Sequence, residues 1–285
     1  MIYFEPKGEE TSSATTKIPF VVSITSGKGG VGKTNISTNL ACLLGEKGYN
    51  TLLLDADLGL GNVDVLLGIT PRFNVLHLLS NEISLDNVLF RTNYNFSILP
   101  APSGVMELVS LTPGQKLEFL DALDPLDSEL DFFIVDTGAG INDNVLYFNM
   151  ATQHRIIVLT PEPTSLTDSY ALIKVLNQQH GVNDFFVIIN MCGHEKQAKE
   201  VFKRLYIACD RFLKGVSLNF LGFIPKDNKV VEAVKLQIPF CKKFPNSEAS
   251  LALNKILDKL LTLKNIKKQI DGNIKFFWKK LLLQS

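Results

Sequence analysis

A glycine-rich segment between an apolar run and a helical pattern constrains this chain more than any other feature. Residues 26–34 read SGKGGVGKT and satisfy the pattern GxxxxGK[ST] with Gly27, Gly32, Lys33 and Thr34. Glycines let backbone N–H groups approach phosphate oxygens, and the following helix presents its positive end to the same anion. Lys33 is expected to reach the β and γ phosphates, and Thr34 to bind Mg²⁺. A glycine-rich turn could match this pattern by chance, but here the motif also lies between a predicted strand and a predicted helix, in the order that a phosphate-binding loop requires. The segment therefore predicts a nucleoside triphosphate site.

The rest of the chain alternates short apolar runs with stretches of helical spacing. Apolar stripes such as Ile36, Leu40, Leu43 and Leu44 predict helices, and Gly48 stands where the first of them would end. Val201, Leu205 and Ala208 form a similar stripe later in the chain. The runs of strand length are 20–24, 51–54, 96–99, 132–135, 156–159, 185–189 and 220–224.

This alternation predicts an α/β fold with a doubly wound, mainly parallel sheet flanked by helices. We expect one domain over residues 19–263, because no repeat or linker divides it. Residues 1–18 are polar and predict a flexible leader. In such sheets ligands bind at the carboxyl ends of the strands, which is where the polar residues of this sequence collect.

Composition and charge exclude several classes of protein. Lys plus Arg and Asp plus Glu are balanced at 29 each, so the chain lacks the overall positive charge of a protein that binds nucleic acid through its phosphates. A local basic patch remains an alternative. The four cysteines form no CxxC pair, which argues against an iron-sulfur carrier or a disulfide framework. No apolar run approaches the roughly 20 residues of a membrane-spanning helix. We therefore expect a cytoplasmic protein.

Acidic residues follow two of the predicted strands. Asp55 and Asp57 are two apart at the end of the second strand, so on extended backbone they face the same way, toward the phosphate loop. Asp136 ends the fourth strand in the arrangement in which a carboxylate holds Mg²⁺, usually through water. Gly138 would let the backbone approach the γ phosphate. Aspartates that merely terminate strands would explain the turns but not this pairing with the loop.

The second lysine of the loop, Lys28 in GKGGVGKT, resembles the deviant phosphate loop of the MinD/ParA family of ATPases. The resemblance covers residues 20–262 and implies a P-loop NTPase fold, ATP and Mg²⁺ as cofactors, and an ATP-dependent homodimer. In that family the extra lysine crosses to the partner's phosphates, so the catalytic set would be Lys28, Lys33 and Asp57, with Asp57 positioning water. Mg²⁺ would be held by Thr34, Asp55 and Asp136. The nucleotide contacts implied by the match are Gly27, Lys28, Gly29, Gly30, Val31, Gly32, Lys33, Thr34, Asn35, Gly138, Asn190, Pro225 and Asp227.

Two further stretches resemble the flagellar-number regulators of this family, known as FlhG or FleN. They are DADLGLGNVDVLLG at 55–68 and TPEPTSLTDSYALIKVL at 160–176. The resemblance implies control of the number or placement of bacterial flagella, with the GTPase FlhF or switch-complex proteins as partners. Residues 1–18 contain no DQAxxLR-like motif, the element with which FlhG proteins stimulate FlhF, so the resemblance does not extend to that stimulation.

The C-terminal segment 264–285 predicts an interfacial amphipathic helix. A helix would place Ile274, Phe277, Trp278, Leu281 and Leu282 on one face and lysines on the other, as expected for an anionic membrane surface. Because a dimer would carry two such helices, dimerisation with ATP would bring the protein to the inner face of the cell membrane as a peripheral protein. A helix packed on its own domain is the competing interpretation of the segment. DNA partitioning or division-site placement by a ParA- or MinD-type ATPase is the alternative function.

Overall fold

A computed structural model describes residues 19–57, 62–74, 77–78, 83–100, 112, 114, 118, 121–123, 126, 129–266 and 279. The predicted leader 1–18 lies outside the described residues. So does the C-terminal segment from 267 onward, except for Lys279, which is helical and exposed. The membrane-facing residues predicted there, Ile274, Phe277, Trp278, Leu281 and Leu282, therefore stay a prediction.

The described strands and helices alternate along the chain. The strands are β1 Phe20–Ser26, β2 Thr51–Ala56, β3 Phe90–Arg91, β4 Ser97–Pro100, β5 Phe132–Ala139, β6 His154–Leu159, β7 Asp184–Cys192 and β8 Ser217–Pro225. The helices are α1 Lys33–Glu46, α2 Val63–Leu67, α3 Leu85–Val88, α4 Asp143–Ala151, α5 Pro163–His180, α6 Glu195–Phe212, α7 Asn228–Lys235, α8 Phe240–Lys243 and α9 Glu248–Ile266.

The strands form one sheet in the order β3-β4-β2-β5-β1-β6-β7-β8, with β1 between β5 and β6. Every pairing is parallel except that of β3 with β4. The predicted mainly parallel α/β fold is therefore confirmed. Strand β3 was not predicted, because two residues at a sheet edge carry no periodic pattern.

Helices cover both faces of the sheet. Alternate residues of the central strands enter different core clusters, so that Val22 packs with α1 and α9 while its neighbour Val21 packs on the opposite side. The apolar runs on both faces of β1 and β5 are fully buried for this reason. Helix α5 and helix α6 complete the second face. On α6 the buried stripe ends at Cys209 rather than at the predicted Ala208.

Helix α1 ends where the sequence indicates. Gly48 follows the helix with φ of 82° and donates its N–H to the Gly45 carbonyl, a left-handed ending that glycine adopts at low cost. The described helices include none that is long and apolar enough to cross a membrane.

Helix α9 crosses the predicted boundary between residues 263 and 264. Lys264 lies in its last turn, with the ammonium 3.0 Å from the Asp131 carbonyl oxygen and 3.2 Å from the Asp131 carboxylate. The same ammonium lies 4.3 Å from the centre of the Phe132 ring. Lys264 is thus part of the folded domain at the amino-terminal edge of the sheet.

Candidate nucleotide-binding site

The loop between β1 and α1 packs so closely against α5 and β7 that a side chain at either of two glycines would force these elements or the loop to move. A Cβ on Gly27 would collide with the backbone carbonyl of Asp168 in α5. Gly32 has φ of 94°, and a Cβ there would lie 2.5 Å from Nδ2 of Asn190. The motif glycines are therefore required by the close approach of α5 and β7 as well as by the phosphates they are predicted to contact.

Lys33 begins α1 and is buried beneath this loop. Its ammonium donates a 3.0 Å hydrogen bond to Oγ of Ser26, which in turn donates a 2.6 Å bond to the carbonyl of Lys28. Burial lowers the pKa of Lys33, and the carboxylates of Asp136 and Asp57 oppose that shift. The ammonium is thus held at the floor of the loop, beside the two acidic strand ends.

Asp136 is buried on β5 with no hydrogen-bond partner among the described residues for either carboxylate oxygen. Burial raises its pKa to about 7, and the carboxylate of Asp55 adds to the shift. The hydroxyls of Thr34 and Ser37 and the ammonium of Lys33 act in the opposite direction. A buried carboxylate without a partner is costly, so the site is built for a cation that supplies one.

Asp55 lies directly beside Asp136 in the parallel register of β2 and β5. Its two oxygens accept backbone N–H groups on either side of the segment that follows β2, from Asp57 at 3.3 Å and from Val63 at 3.2 Å. Burial raises the pKa of Asp55 to about 6, against the effect of these two hydrogen bonds. Asp55 therefore ties the end of β2 to the start of α2.

Asp57 lies against the backbone of Gly138 at the end of β5. A Cβ added to Gly138 would lie 3.3 Å from Oδ1 of Asp57, so glycine keeps the two strand ends in close approach. Asp57 is half-buried and is near enough to Lys33 to influence its pKa. The structure thus brings Asp57, Gly138 and Lys33 together at the carboxyl edge of the sheet.

The residues at this edge fit Mg²⁺ with a triphosphate. The Asp136 carboxylate, which has no hydrogen-bond partner among the described residues, lies beside the Thr34 hydroxyl and the Asp55 carboxyl group. Oxygen ligands of this kind are what Mg²⁺ takes, and they leave coordination positions for water and phosphate. Thr34, Asp136 and, in support, Asp55 are the residues that would hold the ion.

Lys28 is engaged within its own chain. Its ammonium forms an ion pair with Glu162, and it donates a 2.9 Å hydrogen bond to Oγ1 of Thr164 in the first turn of α5. The Lys28 side chain is about one-third exposed, at 35%. No local motif links Glu162 and Thr164 to the loop, so these partners of Lys28 were not predicted from the sequence.

Two of the predicted nucleotide contacts, Asn190 and Asp227, form hydrogen bonds within the chain. Nδ2 of Asn190 donates to the Val31 carbonyl at 2.8 Å, and Oδ1 accepts the N–H of Met191 at 2.9 Å. Asn190 thereby ties β7 to the phosphate loop. Asp227 accepts the N–H groups of Lys229 and Ala249, at 2.8 and 3.2 Å, and so caps α7 and holds the first turn of α9.

The remaining predicted contacts lie where the topology places them. Pro225 ends β8 and pairs in register with Cys192 at the end of β7. Asn35 lies in the first turn of α1, where its carbonyl accepts Nδ2 of Asn39 at 2.7 Å. Gly29, Gly30 and Val31 complete the loop, with Gly30 at φ of 75°. All of these residues lie on the carboxyl side of the sheet with the loop.

Comparison with known proteins agrees with this geometry. Residues 22–240 match the family described as the CobQ/CobB/MinD/ParA nucleotide binding domain. The chain is 43% identical to antiactivator FleN of Pseudomonas aeruginosa over 84% of this chain and 85% of the relative. It is 34% identical to the flagellum site-determining protein YlxH of Helicobacter pylori over 90% of this chain and 86% of the relative. The solved structure of the septum site-determining protein MinD from Pyrococcus horikoshii, complexed with Mg-ADP, matches with a TM-score of 0.67 and 26% identity over 89% of this chain and 100% of that one.

Proposed function

The chain belongs to the MinD/ParA family of nucleotide-binding proteins and is an ATPase, and on this premise we propose that it is an ATP-driven dimerising switch that regulates bacterial flagella. In this proposal ATP with Mg²⁺ drives two copies together, and the dimer resides at the membrane and binds flagellar assembly proteins. Slow hydrolysis then separates the copies. The similarity to FleN and to YlxH, whose names refer to flagellar control, carries the flagellar part of the proposal.

The hydrolysis step is assigned to three side chains at the loop. Lys33 holds the phosphates through its buried ammonium, whose charge is supported by Asp136 and Asp57. Asp57 orients the attacking water, since its carboxylate is half-buried and lies against Gly138 at the strand end. Lys28 supplies charge to the phosphates of the partner copy. Mg²⁺, when bound, neutralises charge that develops on the phosphate oxygens.

Dimerisation through the nucleotide edge is supported by the surface around the loop. Ile141 and Met191 are 50% and 43% exposed at the ends of β5 and β7. Large apolar side chains exposed next to a charged site are typical of a surface that is covered in another state. Lys28 reaches this surface from the loop, and in the separate copy its ammonium is occupied by Glu162.

Membrane residence is assigned to the C-terminal segment, on its sequence pattern. Full burial of its five large apolar side chains would give on the order of 7 to 15 kcal/mol, of which partial insertion and helix ordering remove much. One segment alone would then bind weakly, and two in a dimer would bind far better through effective concentration. We expect the protein in the cytoplasm, and at the inner face of the membrane when it holds ATP.

Division-site placement is the second candidate function. The similarity to the MinD structure over the whole of that chain favours it. A ParA-like role in DNA partitioning is less well supported, because the chain has no net charge. Binding of the ATP-loaded protein to anionic vesicles and to plasmid DNA separates the membrane roles from the DNA role.

The central test replaces Asp57 with Ala and measures ATP turnover and molecular mass with ATP. We expect turnover to fall by about 10²-fold or more, the range for loss of a water-positioning group, while the dimer persists because hydrolysis no longer separates it. Asp86→Ala is the matched control, since that carboxylate is exposed and pairs only with Arg91 among the described residues. Unchanged turnover in Asp57→Ala contradicts the assigned role. A protein that stays monomeric when saturated with a non-hydrolysable ATP analogue contradicts the switch itself.

A further inference from the structure

A cavity of about 770 Å³ opens at the amino-terminal edge of the sheet, away from the nucleotide site. It lies between α4 and the end of α5, next to the first residues of β6 and β7. Its volume is in the range of small-molecule sites, roughly 300 to 1,000 Å³. We name it the α4–α5 cavity and define it by five of the residues that line it, Leu146, Met150, Arg155, Gln179 and Val182.

Arg155 brings a buried positive charge to this cavity, with only 9% of the residue exposed. Its Nε donates to the Asn149 carbonyl at 2.6 Å. One terminal nitrogen donates to the Thr152 carbonyl, and the other donates to the Gln153 carbonyl at 3.3 Å. A guanidinium has five N–H groups, so these three bonds leave one N–H on each terminal nitrogen. Two such N–H groups can bind both oxygens of a carboxylate.

The charge of Arg155 has no carboxylate within ion-pair distance in the part of the chain that the structure describes. Burial lowers the pKa of Arg155 to about 10, and the more distant carboxylate of Asp184 acts in the opposite direction. Carbonyl groups at the end of α4 offset part of the cost of burying the charge. An anion bound in the cavity would stabilise it further.

The carbonyl groups that hold Arg155 are themselves anchored to the central strand β1. The Asn149 side chain accepts the Ser23 hydroxyl at 2.9 Å and donates to Oγ1 of Thr25 at 3.0 Å. The Thr152 hydroxyl donates to Oγ of Ser23 at 3.1 Å. All of these side chains are buried. Because this network fixes the guanidinium before any ligand arrives, little side-chain freedom is lost on binding.

We propose that the α4–α5 cavity binds a small monocarboxylate whose apolar chain lies along Leu146 and Met150. The two remaining N–H groups of Arg155 bind the carboxylate oxygens. A phosphate ester is disfavoured, because Asp143 and Asp184 line the same cavity and repel a second negative charge. A neutral ligand would leave the Arg155 charge without an ionic partner.

The test uses the full-length chain saturated with ADP and Mg²⁺, so that the nucleotide site is filled. The probes are hexanoate, 1-hexanol, hexylamine and inorganic phosphate. The first three share a six-carbon chain and differ only in the group that would meet Arg155. Titrations followed by ligand-observed NMR compare their affinities. We expect hexanoate to bind at least tenfold more tightly than each of the other three, and to bind equally well without nucleotide.

Variants locate the binding site. Arg155→Lys keeps the charge but loses the planar fork, and we expect it to weaken hexanoate binding by about tenfold or more. Because Arg155 also holds the end of α4, Gln179→Glu provides a test that leaves that contact intact. Gln179 is exposed and lines the cavity, so a carboxylate there should weaken hexanoate binding about threefold, and Gln179→Lys should strengthen it. Gln178→Glu is the matched control, since Gln178 is exposed on the same helix and is not among the residues that line the cavity. Circular dichroism confirms that all variants are folded.

Several results would overturn the proposal. Equal binding of hexanoate and 1-hexanol would reduce the cavity to an apolar contact, and tighter binding of phosphate would assign a different ligand class. No binding of hexanoate to the folded protein would leave Arg155 as a cap of α4 alone. Equal effects of Gln178→Glu and Gln179→Glu would show that net charge governs binding, and competition between hexanoate and ADP would place the ligand at the nucleotide edge. The inference goes beyond the proposed function and does not depend on it, because the cavity and the phosphate loop lie at opposite edges of the sheet.

Discussion

Asp55 and Asp136 are direct register partners on the adjacent parallel strands β2 and β5, and both carboxyl groups have a raised pKa. The pair reaches this state by burial, which disfavours the charged form of each group. The Asp136 carboxylate has no hydrogen-bond partner among the described residues, whereas the two Asp55 oxygens accept hydrogen bonds from the N–H groups of Asp57 and Val63. The two carboxyl groups thus have different roles: Asp136 is free to bind a cation, and Asp55 joins the end of β2 to the start of α2.

The first prediction concerns pH and the nucleotide-free protein. Because the pKa of Asp136 rises from 3.8 to about 7 on folding, the folded state binds more protons than the unfolded state between these values, and stability falls as pH rises through about 7. Asp136→Asn cannot ionise, so we expect it to be more stable than the wild type at about pH 8, by about 1 to 3 kcal/mol. Urea unfolding at about pH 5 and pH 8 measures this. A wild type that gains stability over this range, with Asp136→Asn showing the same slope, would contradict the prediction.

The second prediction concerns the contact between the loop and β7. Gly32→Ala places a methyl group 2.5 Å from Nδ2 of Asn190 at a positive φ, so the bond from Asn190 to Val31 must break or the loop must move. We expect a loss of stability of about 1 to 3 kcal/mol and a loss of nucleotide affinity of tenfold or more. Gly181→Ala is the control, because it has a φ of 66° with no atom within 4 Å of the added Cβ. Calorimetric titration with ADP and Mg²⁺ gives the affinity, and equal losses in both variants would assign the effect to φ alone.

The third prediction concerns the contact that occupies Lys28. Glu162→Gln removes the ion pair within the chain, so the proposed transfer of Lys28 to a partner copy no longer requires breaking it. Exposed pairs contribute about 0 to 1 kcal/mol, so we expect the dimer to form at about two- to fivefold lower protein concentration with ATP. Glu195→Gln breaks a comparable exposed pair with Lys199 and is the control. Light scattering over a dilution series gives the protein concentration at which each variant dimerises. Weaker association of Glu162→Gln than of the wild type would show that Glu162 itself contributes to the dimer.

The fourth prediction concerns the attachment of α8 to α1. The side chain of Asn39 is fully buried, and its Oδ1 accepts the N–H of Cys241 at 2.9 Å. Asn39→Ala leaves that N–H without its acceptor, and we expect a loss of about 1 to 3 kcal/mol in unfolding free energy. Asn219→Ala, on the exposed edge of β8, should change stability by less than about 0.5 kcal/mol. Urea unfolding of both variants measures the difference, and a neutral Asn39→Ala would show that water replaces the lost acceptor.

Much of the site follows from residues that are close in sequence. The phosphate loop, Lys33 and Thr34 belong to one motif, and the spacing of Asp55 and Asp57 is set by the two-residue period of a strand. Asp136 was predicted because the carboxyl ends of parallel strands meet at one edge of a sheet. Apolar runs of strand length and stripes of helical spacing determined the fold class in the same way, since both patterns are local consequences of backbone geometry.

Tertiary structure alone decided the contacts between distant parts of the chain. The bond from Asn190 to Val31 and the ion pair from Lys28 to Glu162 join residues more than 130 positions apart, and no local pattern specifies such a pair. The same holds for Phe212 at the end of α6, because a helix pattern does not show that this side chain stays exposed once the sheet is covered. The physical reason is that periodicity fixes the orientation of a side chain on its own element, whereas packing between elements fixes what that side chain meets.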